Sequence, residues 1–396
     1  MTDYDSERAS PILFVSHDAW RTGAPTVLLH FLRWLKSNTD IPFAVVLRDG
    51  SGELRADFEA LAPVAAWGDI RQRSRSGRSG LLARVGRRQA DGVRALLGGH
   101  LPALIYSNTI TNGALLDTLA YTGAPVITHV HELDFWITER IDAADLALTC
   151  ARTDRYIAAS RAVQDTLRHR LRIPAAAVSL VNEFIAGPAA TGGPSREQLR
   201  VALGIPLDAH VVGGVGTTDW RKGVDLFIQL AAMMTRQRPQ VPIHFVWVGG
   251  ECVGRAAAEL LHDARKAGVG DRVHLCGAQP SVAPYLRVFS MLALTSREDP
   301  YPLAMLEAAQ AELPIVCFAD AGGAPEFVRD DAGIVVRYLD LPAMAEGCWR
   351  LIDDDALRTS LGTCAAERVS ASHLVEQNGP ELVRIIGQVL AARTSR

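Results

Sequence analysis

The feature that most limits what this chain can become is a repeated unit. A short apolar run leads into a loop with glycine or polar residues, and an apolar helical stretch follows. Pro11 to Ser16 is the first such run, the loop from Ala19 to Pro25 carries Arg21, Thr22 and Gly23, and Val27, Leu28, Leu29, Phe31, Leu32, Trp34 and Leu35 populate the stretch after it. Further runs lie at Phe43 to Leu47, Ala103 to Tyr106, Val126 to His129 and Tyr156 to Ala159. Beyond a linker-like segment, Ala186 to Pro194, the series resumes at His210 to Val215, Ile243 to Val248, Arg272 to Cys276, Phe289 to Leu294, Pro314 to Phe318 and Gly333 to Val336. Strands this uniformly apolar are covered on both faces, and strand–helix alternation makes their sheets parallel. The pattern predicts two α/β domains, 1–186 and 187–371, with 372–396 returning to the first as a helix. In open parallel sheets ligands sit beyond the carboxyl ends of the strands. In the first domain those ends carry Ser107, Asn108, His129, His131, Glu132 and Ser160.

The stretch from Ser296 to Glu312 is the most informative of these junctions. An apolar strand turns through Asp299-Pro-Tyr-Pro302 into an apolar helix, and Pro302 suits the first helical position, where its missing N–H costs nothing. The N–H groups of Leu303 and Ala304 then lack partners within the helix and attract an anion. Glu307 stands among Leu303, Met305, Leu306, Ala308 and Ala309, so its carboxylate needs a partner or a wet cleft, and a ligand is the expected partner. Gly213-Gly-Val-Gly216 precedes Arg221-Lys222-Gly223 between a strand and a helix. It is neither a dinucleotide fingerprint nor a P-loop. Arg221 and Lys222 sit near a helix N-terminus, where the dipole disfavours cations, and a bound anion would relieve that.

Composition narrows the function. The net charge of -3 argues against a nucleic-acid binder. The six cysteines show no C-x-x-C spacing and are expected to be reduced core residues of a cytoplasmic protein. The polar N-terminus has no signal-peptide core, and no apolar run reaches transmembrane length. Arg71 to Arg94 holds eight arginines against the single acid Asp91. It reads as a solvated face or as a contact with an anionic acceptor or with the inner face of a membrane. The run Asp353-Asp354-Asp355 is expected to be solvated surface, and no metal site is expected.

In their order along the chain these segments resemble the family-4 retaining glycosyltransferases of the GT-B fold, in which two Rossmann-like domains face each other across a cleft. Those enzymes carry Glu, seven residues, then Glu-Ala after a strand and a Ser. Ser296 and Glu307-Ala308 align, the spacing places Asp299 at the first glutamate, and Glu298 falls one residue out of register. The family's Gly, six positions, Lys-Gly arrangement is matched by Gly216 and Lys222-Gly223. Thr217 replaces the usual arginine, so that Arg221 supplies the missing charge. The histidine closing the Thr-x-His segment corresponds to His131, the Gly-Gly-x-x-Glu loop to Gly322, Gly323 and Glu326, and the first-domain glycine loop to Gly23.

The resemblance implies a nucleoside-diphosphate-sugar donor in the second domain. Arg221, Lys222 and the N–H groups of Leu303 and Ala304 would hold the diphosphate, Glu307 the ribose, Asp299 the sugar hydroxyls, and the loop at Gly277 the base. His131 would orient the sugar. A glycan, lipid or small-molecule acceptor would dock near Gly23 and Asn108 in the first domain. Transfer would retain configuration without metal or other cofactor. Three other readings share parts of this pattern: a nicotinamide dehydrogenase, a GT-B nucleotide-sugar epimerase, and a catalytically silent nucleotide-sugar binder.

Overall fold

The computed structural model describes residues 10–73, 92–187 and 192–394. The chain divides into two compact units, Met1–Phe184 with Val375–Arg396, and Ile185–Leu374. Each is built on one parallel sheet.

The first unit has a seven-stranded sheet in the order β3-β2-β1-β4-β5-β6-β7. Its strands are β1 (Ile12–Ser16), β2 (Phe43–Leu47), β3 (Val64–Ala66), β4 (Leu104–Ser107), β5 (Val126–Val130), β6 (Arg155–Ala158) and β7 (Val178–Leu180). Every pairing is parallel. The central strands β1, β4 and β5 are buried along their whole length, which accounts for their unbroken apolar sequences. Helix α1 (Gly23–Asn38) buries Val27, Leu28, Leu29, Phe31, Leu32 and Leu35. The last helix joins this unit at Gly379, where a Cβ would come within 2.6 Å of the Trp34 ring, so the two helices meet at backbone distance. The two edge strands β3 and β7, three residues each, are the ones sequence periodicity does not reveal, since three residues cannot establish a period.

The second unit has a six-stranded sheet in the order β10-β9-β8-β11-β12-β13. The strands are β8 (His210–Val215), β9 (Ile243–Val248), β10 (Val273–Leu275), β11 (Met291–Leu294), β12 (Ile315–Phe318) and β13 (Gly333–Val336). One face packs Phe227, Phe245, Trp247 and Phe318 with Met344, Trp349 and Leu351. Phe227 meets Trp247 edge-on at 5.2 Å between centroids, a favoured aromatic geometry. The other face packs Val211, Leu292, Met305, Leu306, Ile315 and Phe327.

Cys317 and Cys348 are core residues, but Cys252 is exposed, because it sits in the loop after β9 rather than on an element. Arg71 and Arg73 fall in the helix Trp67–Arg73, whereas Arg75, Arg78, Arg84, Arg87 and Arg88 lie outside the described residues. Among the described residues no helix is long and apolar enough to cross a membrane.

Candidate active site

Both sheets reverse their strand order once, between β1 and β4 in the first unit and between β8 and β11 in the second. A reversal leaves a crevice at the carboxyl ends, because the two adjoining loops leave in opposite directions. In the second unit those loops are Gly216–Gly223 and Thr295–Pro302, and they contain most of the residues the sequence singles out.

The loop after β8 is shaped by two glycines. Gly216 has φ +153°, and a Cβ there would lie 3.0 Å from the Lys222 side chain. Its place is set by the room that side chain needs. Gly223 has φ +69°, and a Cβ would fall 2.2 Å from the Thr295 carbonyl oxygen. At Gly223 both the left-handed backbone and the close approach demand glycine. The Thr295 hydroxyl donates to the Gly223 carbonyl at 2.9 Å, and the Arg297 N–H to the Arg221 carbonyl at 2.7 Å, locking the two loops together. Gly223→Ala is expected to lower the melting temperature by several degrees, since strain of this kind costs roughly 1–3 kcal/mol. Differential scanning fluorimetry checks it.

Lys222 points back from this loop onto Asp299, with Nζ 2.5 Å from Oδ2. Arg221 Nη1 stands 3.5 Å from Oδ1, and Arg221 also donates to the Glu298 carbonyl at 3.2 Å. Burial would push the Asp299 carboxyl up, but Lys222 and Arg221 hold it below the ordinary aspartate value. Burial pulls Lys222 down more than Asp299 lifts it. The three groups carry one net positive charge. Asp299 is thereby occupied with the two cations and the Ser296 hydroxyl at 3.3 Å, an arrangement its expected part as a sugar ligand did not include. Its backbone is fixed as well, since the Asp299 N–H donates to Ala321 and its carbonyl accepts from Gly323. This places the Gly322-Gly323 loop beside it.

The helix that follows, α2 (Leu303–Gln310), starts one residue later than expected. Pro302 is its N-cap, with an extended ψ of 120°. Met305 donates to the Pro302 carbonyl, while the N–H groups of Leu303 and Ala304 find no acceptor among the described residues. Glu307, one turn on, is half-buried and has no hydrogen-bond partner among the described residues. Burial alone pushes its carboxyl up to about 7. Gly277 has φ +67° and accepts from Gly249 N–H at 2.8 Å. It joins the ends of β9 and β10, and a side chain there would collide with Cys252 Sγ at 2.5 Å. The second unit thus offers a net cation, two free N–H groups and an unpartnered carboxyl at one reversal point. Such a set has the charge and hydrogen-bonding groups that a diphosphate and a vicinal diol require.

In the first unit the reversal point brings together the loop before α1 and the end of β4. Gly23 opens α1 behind the N-cap Thr22, and a Cβ there would meet nothing within 4 Å, so the helix start is open. Asn108, fully buried, donates from Nδ2 to the Ala24 carbonyl at 2.8 Å and accepts on Oδ1 opposite His131 Nε2 at 3.1 Å. The other ring nitrogen, Nδ1, lies 2.5 Å from Glu183 Oε1. Glu183 is the residue sequence reasoning missed. It follows β7 as the chain leaves the unit, and the only signal was the polar pair Asn182-Glu183 between Val181 and Phe184. His129, His131 and Glu183 form the one His/Glu group among the described residues with ligand-type atoms within 4.8 Å of one another. His131 Nδ1 and Glu183 Oε1 are at hydrogen-bond distance, and no metal is assigned to the group.

Comparison with known proteins agrees with this division. The family model described as Glycosyltransferase Family 4 matches residues 21–185, and that described as Glycosyl transferases group 1 matches residues 209–354. The D-inositol 3-phosphate glycosyltransferase of Corynebacterium aurimucosum is 31% identical over 176 residues, 43% of this chain and 41% of that protein. The alpha-D-kanosaminyltransferase of Streptomyces kanamyceticus is 29% identical over 197 residues, 49% of each. The chain thus spans about two-fifths to one-half of the length of these curated relatives. The crystal structure of Alr3699/HepE from Anabaena in complex with UDP and glucose matches with a TM-score of 0.79 at 19% identity, over 96% of this chain and 99% of that one, a likeness of fold. With one family model on each parallel-sheet unit, the chain belongs to the family-4 glycosyltransferases and has the GT-B fold.

Proposed function

We propose that the protein transfers a sugar from a nucleoside-diphosphate donor to an acceptor hydroxyl, with retention of configuration and without a metal ion. The observation that carries this reading is the Lys222–Asp299–Arg221 cluster beside the free N–H groups of Leu303 and Ala304. As the glycosidic bond breaks, negative charge grows on the leaving diphosphate. Cations and N–H dipoles fixed in advance stabilise that charge without reorganising, which is the task a metal would otherwise perform. Asp299 holds the Lys222 ammonium toward the diphosphate, Glu307 accepts from the ribose diol, and the Gly277 turn lines the base. The acceptor binds in the first unit near Gly23 and Asn108. His131 keeps this region in register. The departing phosphate oxygen takes the acceptor proton on the face it leaves, which gives retention.

The UDP and glucose of the HepE complex and the transferase names of the curated relatives support a nucleotide-sugar donor. The six free cysteines support a reducing compartment such as the cytoplasm as the proposed location. The test is transfer from labelled UDP-, GDP-, ADP- and dTDP-sugars to an acceptor panel that includes D-inositol 3-phosphate, with the product anomer read by NMR. The expected product keeps the donor's anomeric configuration and forms equally in EDTA. An inverted product, or activity lost to EDTA and restored by metal, contradicts the proposal.

A further inference from the structure

The links from Glu183 to the start of α1 form a continuous relay inside the first unit. Glu183 Oε1 meets His131 Nδ1, His131 Nε2 meets Asn108 Oδ1, and Asn108 Nδ2 donates to the Ala24 carbonyl. The His131 and Glu183 side chains are 6% and 5% exposed, so water cannot substitute for a lost link.

The direction of each bond is fixed from one end. The Ala24 carbonyl can only accept, so the Asn108 atom facing it is the amide nitrogen, and Oδ1 faces His131. His131 must then present Nε2–H to Asn108 while a proton also lies between Nδ1 and Glu183. Removing that proton leaves two tautomers, and each breaks the relay. With Nε2–H kept, a bare Nδ1 faces the Glu183 carboxylate. With Nδ1–H kept, a bare Nε2 faces Asn108 Oδ1, and turning the amide to satisfy it sets oxygen against the Ala24 carbonyl. The unbroken relay from Glu183 through Asn108 to the first turn of α1 therefore requires a proton on each His131 ring nitrogen.

We propose that Glu183 is a positioning residue for the acceptor side of the reaction: through His131 and Asn108 it holds the Gly23–Ala24 turn at the open start of α1. This rests on the transferase reading for the acceptor, while the relay itself stands on geometry. The groups around the pair agree with it. Burial lowers His131, but Glu183 and then Glu132 more than offset this and leave it raised. The Glu132 carboxylate accepts from the His131 backbone N–H at 2.9 Å. The His129 ring, 4.1 Å away between centroids, is kept neutral chiefly by burial. Tyr106, bonded to His129 at 2.8 Å, is pushed up by burial and by Glu183 and also stays neutral. His17 is lowered by burial against the pull of Asp18 and Glu132, with Arg48 adding to the lowering.

The test is an NMR titration of 13C-labelled histidine in the full chain, with His131 assigned from a His131→Gln variant. His131 is expected to titrate above an ordinary histidine. The Asn108 side-chain amide and the Ala24 carbonyl should shift with the same midpoint. In Glu183→Gln that midpoint should fall by a unit or more, a tenfold change in acid strength. With UDP-glucose as donor and D-inositol 3-phosphate as acceptor probe, the acceptor KM should rise tenfold or more at pH 7.5 while the Kd for UDP is unchanged. Should Glu183→Gln not fold, Asn108→Ala takes its place. It must raise the acceptor KM in the same way while leaving the His131 midpoint high. A His131 midpoint unmoved by Glu183→Gln overturns the proposal. So does an Asn108 amide that ignores the titration, or stoichiometric zinc bound by the wild type and lost in Glu183→Gln. Absence of transfer counts against the transferase reading, and the NMR result then decides the relay.

Discussion

Lys222→Ala is expected to reduce sugar transfer by ~10²–10³, the loss typical of removing one group that meets charge developing in a transition state. Two effects combine. The variant takes the one net positive charge from the Lys222–Arg221–Asp299 cluster, and it leaves Asp299, buried to 6% exposure, with Arg221 at 3.5 Å as its one cation in the cluster beside the Ser296 hydroxyl. Breaking a buried pair from one side costs up to about 3–5 kcal/mol, so stability must be separated from catalysis. The double variant Lys222→Met with Asp299→Asn removes both charges and is expected to recover most of the melting temperature lost by Lys222→Ala. Transfer should stay abolished in it. Recovery of both together would mean that the pair serves the fold alone. Steady-state rates and thermal melts on the three proteins distinguish these results.

Glu307 gives the second large effect, and its sign can be worked out. Burial raises its folded pKa to about 7 from the ordinary value of 4.5. The fold of the unliganded protein therefore favours the protonated carboxyl, and that contribution declines as pH rises from 4.5 through about 7. Holding a ribose diol needs the carboxylate, which accepts from both hydroxyls, so nucleotide binding expels the proton. The affinity for UDP should fall about tenfold per pH unit below 7, since one pKa unit corresponds to about 1.4 kcal/mol. Between pH 5 and 8 the unliganded melting temperature should carry a falling contribution from this group, while the UDP-induced increment rises. Glu307→Gln should remove the pH dependence of the increment. Isothermal titration calorimetry in buffers of different ionisation enthalpy reads the released proton directly. A wild-type affinity flat from pH 5 to 8 would remove Glu307 from the nucleotide site.

Much of this site was legible in the sequence because its parts obey local rules. Gly216 and Gly223 are glycines for steric reasons now visible in the Lys222 side chain and the Thr295 carbonyl. The oddness of Glu307 came from its apolar neighbours alone, and it has no hydrogen-bond partner among the described residues. What could not be read were pairings across the sheet. Lys222 and Asp299 are 77 residues apart and meet because β11 lies beside β8, an adjacency that no local pattern encodes. The ion pair that joins Asp299 to Lys222 was therefore not visible in the sequence. Glu183 was hidden for the same reason, with its partner 52 residues away. Pro302 shows the limit of a local rule in the other direction. Proline suits the first helical position in general, but here Pro302 is extended at ψ 120° and caps a helix that starts at Leu303.

The central claim is that the second unit holds a nucleoside diphosphate through Lys222, the Leu303 turn and Glu307. Thermal shift of the wild type and of Lys222→Ala with UDP, GDP, ADP, dTDP and NAD tests it most directly. The account predicts that one of the four diphosphates raises the wild-type melting temperature, that most of this shift is lost in Lys222→Ala, and that EDTA changes neither result. Stabilisation by NAD with none from the diphosphates, or a diphosphate shift undiminished in Lys222→Ala, would contradict it.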